Sequence, residues 1–155
     1  MMIALLTASA VRGDDASLEP YSAVDVAPVS TWVYIANVTL AVGRFVRHGD
    51  TFTTTYTAKV FPYFFYNEKG GLRITVPDAT LRHLAAGRPF EFTGSAVRND
   101  GKERPVDGRV TPLDAASGRI RVRLIYSRHV SVVFETTYRL PSVVAAAAER
   151  KPQSQ

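Results

Sequence analysis

A chain of 155 residues with 46% hydrophobic content is of single-domain size and can bury a substantial core. It contains no cysteine, which excludes structural disulfides, thiol chemistry, cysteine-held zinc and lipoprotein acylation, so packing alone must hold it together. The net charge of +5 is unevenly placed: residues 1–97 carry eight basic and eight acidic side chains, residues 98–155 eleven against six, and arginine supplies 15 of the 19 basic residues. A surplus of arginine on solvated strands demands no ligand, although the planar guanidinium is also what anion recognition uses.

Residues 1–13 read as an export signal, possessing an apolar stretch and the small-x-small ending Ala8-Ser9-Ala10 before the polar Arg12-Gly13-Asp14-Asp15. The apolar segment is short and no basic residue precedes it. Export predicts a periplasmic or secreted protein of the cell envelope. Residues 14–31 are acidic and punctuated by Pro20 and Pro28, which predicts a linker that becomes an edge strand near Val24 or Val29. The β domain is expected to span residues 32–141. Trp32 to Val42 is apolar on both faces apart from Asn37 and Thr39, the pattern of one central strand covered on both sides. Phe45 and Val46 extend it to a turn at His48-Gly49-Asp50, and Phe52 to Phe61 then alternates Phe52, Thr54, Tyr56, Ala58 and Val60 against Thr53, Thr55, Thr57 and Lys59.

Pro62 interrupts this pattern, Asn67-Glu68-Lys69-Gly70-Gly71 reads as a turn, and Leu72, Ile74 and Val76 mark a short strand. A helix is predicted over 78–86, with Asp78 as its cap, Leu81, Leu84 and Ala85 on its apolar face and Gly87 at its end. Phe90, Phe92, Gly94 and Ala96 resume the alternation to a turn at Asn99-Asp100-Gly101, followed by a weaker strand around Val106 to Val110. The strongest signal lies at Arg119 to Leu140. Ile120, Val122, Leu124 and Tyr126 oppose Arg119, Arg121 and Arg123, and after Ser127-Arg128-His129 the residues Val132, Phe134, Thr136, Tyr138 and Leu140 share a face, so an antiparallel hairpin follows. Residues 142–155 read as a flexible tail whose alanines could form a frayed helix. The fold class is therefore mainly β: an antiparallel sandwich or partly open barrel of about seven or eight strands with one short helix.

No catalytic constellation emerges. His48, His83 and His129 are far apart and have no ligand spacing, so no metal and no cofactor is expected. The strand carboxylates Glu91 and Glu135 fall on outer faces, where pairing with arginine is their usual role. Two features bear on binding. The run Phe61, Tyr63, Phe64, Phe65, Tyr66 cannot place every ring on one strand face. Burial is the commoner fate of large aromatics, but exposed rings would serve a hydrophobic ligand or a protein partner. The stripe Arg119, Arg121, Arg123, continued by Arg128, would offer anionic polymer or lipid headgroups a basic line. Nucleic acid is disfavoured because Tyr126 and Tyr138 fall on the core face instead of among the arginines. The leading expectation is a non-catalytic exported domain that binds or scaffolds through its aromatic end. The arginine face comes second and an enzyme with a loop-built site third.

Overall fold

The computed structural model of the chain describes residues 17–149. The export signal expected at 1–13 lies outside these residues. Ten strands form one antiparallel sheet: β1 (Ala23–Val26), β2 (Val29–Val33), β3 (Ala36–Val42), β4 (Phe45–His48), β5 (Thr51–Phe61), β6 (Glu68–Thr75), β7 (Phe90–Arg98), β8 (Glu103–Pro112), β9 (Ser117–Ser127) and β10 (Val130–Arg139). Helix α1 (Asp78–Ala85) joins β6 to β7, and α2 (Pro141–Glu149) follows β10. The ring β5-β4-β1-β10-β9-β8-β7-β6 closes through a β5–β6 pairing, giving an eight-stranded barrel, and the β2–β3 hairpin extends its wall beyond β5. The expectation of a mainly antiparallel β fold with one early short helix is met, and of the two architectures the barrel is the one formed.

Closure depends on β1. It pairs with β4 on one side and with β10 on the other, Asp25 opposite Arg139 and Val26 opposite Tyr138. An edge strand was expected near Val24 or Val29, and it forms at Val29, where β2 pairs only with β3, but not at Val24. Both sides of β1 are paired because Pro28, which has no N–H to give, falls between β1 and β2, where it interrupts no ladder. The segment 32–42 also departs from its single-strand reading. It divides into β2 and β3 around Tyr34-Ile35, with Tyr34 in the left-handed region at φ 55°. No Gly, Asn or Pro announces that turn, so composition alone could not place it.

The terminal hairpin forms as predicted, with Val132 opposite Leu124, Phe134 opposite Val122 and Thr136 opposite Ile120. Helix α1 also appears at its predicted place, followed by Gly87 at φ 77°, which suits a residue without Cβ. Its predicted cap does not form. Pro77 occupies the cap position, and the Asp78 carboxylate pairs instead with Arg47 on β4. The helix is held by burial of Leu81 and Leu84, each stabilising the packing by about 1.5–3 kcal/mol.

Side-chain size divides the interior into two ends. At the α1 end, Phe45, Phe52, Ile74, Phe92, Ile120 and Tyr138 meet the helix leucines, Tyr21 and Leu140, leaving a void of only about 70 Å³. At the opposite end many inward positions are small: Val38, Ala58, Val60, Ala96, Val106 and Val122. An eight-stranded barrel is just wide enough for side chains to fill it or for one small ligand to lie within it. Large rings fill one end here, and small residues leave the other hollow.

Candidate functional site

The hollow end encloses about 230 Å³, lined almost entirely by aliphatic side chains and the rings of Tyr56, Tyr66, Tyr126 and Phe134. Two charged residues also line it, Arg104 and Glu68. Arg104 lies in β8 opposite Ala96 and shares strand parity with Val106 and Val110, so the pleat directs it inward. It is only 3% exposed. Glu68 is the first residue of β6 and faces inward opposite Ala58.

Arg104 Nη1 donates to Glu68 Oε1 at 2.7 Å and to Oε2 at 2.6 Å. Tyr56, inward on β5, donates its hydroxyl to Glu68 Oε1 at 3.0 Å. Arg98 Nη1 stands 3.9 Å from Glu68 Oε2, while Arg98 Nη2 reaches Asp100 Oδ2 at 2.8 Å. The Arg104 guanidinium lies over the Tyr126 ring, its carbon 4.0 Å from the centroid, a cation–π arrangement inside an apolar shell. Burial, and then the neighbouring Glu68 charge, push the Tyr56 hydroxyl up to about 12, so Tyr56 is a proton-bearing donor throughout the neutral range.

The cluster is charge-balanced but not saturated. Arg104 Nε and Nη2 are buried and have no hydrogen-bond partner among the described residues. A buried donor left without an acceptor costs about 1–3 kcal/mol, more where the group is charged. Both nitrogens belong to a side chain that lines the apolar chamber. Both Glu68 oxygens are engaged by Arg104, and Tyr56 keeps its proton.

The aromatic residues named from sequence lie on the connection between β5 and β6, at this end of the barrel. Beyond a cis Phe61–Pro62 peptide the chain makes a short 3₁₀ turn at Phe64–Tyr66 before entering β6. Phe61, Phe64, Phe65 and Tyr66 are exposed, Phe65 by 77%, and Tyr63 is half-buried. The commoner fate of burial is thus not theirs, because the turn lies outside the barrel wall, where no second layer covers it. Their rings pack on one another, Phe61 against Phe64 at 5.7 Å, Tyr63 against Phe65 at 6.0 Å and Phe65 against Tyr66 at 4.5 Å between centroids. Of the five, Tyr66 lines the chamber. Sequence reasoning had not linked the β2–β3 tip to this end. Trp32 is opposite Asn37, which is opposite Phe61, so Trp32 and Phe61 share the outer face of one rim, with Tyr34 and Ile35 exposed at the tip.

The arginine stripe lies elsewhere, on the outer face of β9. Arg121 faces Glu135 at 3.4 Å and Arg123 faces Asp107 at 3.1 Å, while neighbouring Arg109 meets Glu91 at 3.5 Å. Arg119 and Arg128 make no ion pair among the described residues. Of the five arginines, three are thus paired with carboxylates. Such exposed pairs contribute at most about 1 kcal/mol each. Glu91 and Glu135 are thus arginine partners, and no group of three or more metal-ligating side chains gathers among the described residues. No helix among them is long and apolar enough to cross a membrane. Comparison of the chain with family models, with curated proteins and with solved structures finds no match.

Proposed function

We propose that this protein binds a small hydrophobic molecule inside the barrel, taken in through the aromatic rim. The observation that carries the reading is the apolar chamber of about 230 Å³ at the end where Trp32, Phe61, Phe64 and Phe65 are exposed. A protein whose α1 end is packed with aromatic side chains could have been filled equally at the other end. Its inward residues there are small, and the chamber remains. Exposed rings at the entrance lower the cost of bringing an apolar molecule out of water, since they remove part of its surface from solvent before it enters. Residence in the cell envelope belongs to the same proposal and rests on Ala8-Ser9-Ala10. Intact-mass measurement on protein from its natural source tests it, a mature chain still starting at Met1 being the result against.

Isothermal titration calorimetry with isopropylbenzene tests the binding reading. Saturable binding is expected, weakened at least about tenfold in Ala58→Leu and Ala96→Leu, which project bulk into the chamber. Far-UV circular dichroism confirms that those variants keep the fold. Absence of saturable binding, or equal binding by both filled variants, would exclude the chamber as the site.

A further inference from the structure

The chamber's polar corner restricts what its occupant can be. Arg104 carries one positive charge, already met by Glu68, and the Arg98–Asp100 pair beside it is also balanced. Glu68 accepts from Arg104 and from the Tyr56 hydroxyl, and Arg98 stands 3.9 Å from its Oε2. What remains is donor capacity without net charge: Nε and Nη2 of Arg104, buried and unpartnered among the described residues. We propose that the ligand is an uncharged apolar molecule bearing a carbonyl-type oxygen, which accepts from Arg104 while its hydrocarbon part fills the chamber. This rests on the binding reading above.

Charge decides against the obvious alternative, a carboxylate. An anion seated on Arg104 would lie beside Glu68 in a low-dielectric pocket and leave one negative charge uncompensated, a costly state for buried groups. A neutral carbonyl takes the same hydrogen bonds and adds no charge. A pure hydrocarbon would fill the space and leave the donors unmet, which is the asymmetry that gives buried polar groups their selectivity. Size follows from volume. An apolar cavity of about 150 Å³ holds benzene, so by proportion 230 Å³ takes about nine non-hydrogen atoms, more if the ligand extends into the rim. The Tyr126 ring covers one face of the guanidinium.

Three probes with equal numbers of non-hydrogen atoms separate the cases: isopropylbenzene, acetophenone and benzoate, each measured by isothermal titration calorimetry. The expected order places acetophenone at least about tenfold tighter than benzoate. The double variant Arg104→Met with Glu68→Gln removes both charges together and keeps the volume, so folding should survive. In it the ratio of acetophenone to isopropylbenzene affinity should fall about tenfold, with isopropylbenzene itself changed by no more than about twofold. Benzoate binding more tightly than acetophenone would overturn the uncharged class. An affinity ratio unchanged by the double variant would overturn the role of Arg104, although chamber binding would stand. Failure of all three probes would instead remove the binding reading itself.

Discussion

Arg104 and Glu68 are 36 positions apart in the chain, and the site exists because two strands bring them to one interior corner. Half of that pair was legible. Arg104 has the parity of Val106 and Val110, so a charged residue at an inward position could have been read from the alternation. Glu68 was hidden, since Gly70-Gly71 reads as a turn yet lies within β6. A Cβ at Gly70 would come within 2.0 Å of the Val97 carbonyl oxygen, so that glycine serves a close approach between strands and makes no bend. At this scale the pair itself is testable. Arg104→Met alone leaves Glu68 buried without its counter-charge and should cost about 3–5 kcal/mol in urea unfolding, whereas adding Glu68→Gln should restore much of that loss. Equal stability of the single and double variants would show that the two side chains are not coupled. Tyrosine titration gives a second residue-scale prediction. Burial is the main cause that pushes both Tyr56 and Tyr138 up to about 12. An unfolded tyrosine ionises near 10, so above that pH the unfolded chain binds fewer protons and stability falls as pH rises from about 10 toward 12. The double variant Tyr56→Phe with Tyr138→Phe should flatten that part of the unfolding profile, and an unchanged slope would mean that neither hydroxyl is the cause.

Among the elements, the β9–β10 hairpin shows how far alternation reaches. Its inward and outward faces are those the pattern gives, with Phe134 2% exposed on one and Arg121 in a surface ion pair on the other. Phe134→Ala should therefore cost about 3–5 kcal/mol in chemical unfolding, and Arg121→Ala no more than roughly 0.5 kcal/mol. Comparable losses would reverse the assignment of faces. The packed α1 end depends on a residue that alternation describes less well. Gly108 faces inward on β8, where an added Cβ would meet the Arg121 carbonyl oxygen at 2.4 Å and the Phe92 ring at 2.5 Å. Phe92 can rotate, but the β9 backbone cannot, so Gly108→Ala should lower the unfolding midpoint by more than an exposed strand substitution does. Retained stability would show that β8 and β9 can separate. The β2–β3 tip was illegible for a different reason. Its turn uses Tyr34 at positive φ, a conformation that sequence assigns to Gly or Asn, and its apolar residues suited a buried strand equally well.

For the whole molecule, closure is the part that local pattern could not supply. Thr136 donates its hydroxyl to the Ala27 carbonyl across 109 positions of sequence, and no periodicity in either segment names the other. What can be read afterwards is an asymmetry of packing along the barrel. One end combines Phe45, Phe52, Phe92 and Tyr138 with α1, and the other holds the chamber behind a rim of exposed rings. Local opening is cheapest where few buried apolar contacts are lost, so hydrogen exchange should be graded along the strands. Amides of β5 and β7 near Phe52 and Phe92 should exchange only by global unfolding, and those near Val60 and Val97 by smaller openings. A ligand held in the chamber binds the closed barrel and not the opened rim. Saturating acetophenone should therefore slow exchange through chamber-end openings and through global unfolding alike, by the factor its concentration over its dissociation constant sets. Openings confined to the α1 end, which keep the ligand bound, should be unaffected. Uniform protection along every strand, with and without the probe, would mean that the barrel opens as one unit and that the chamber is not a separately accessible part of it.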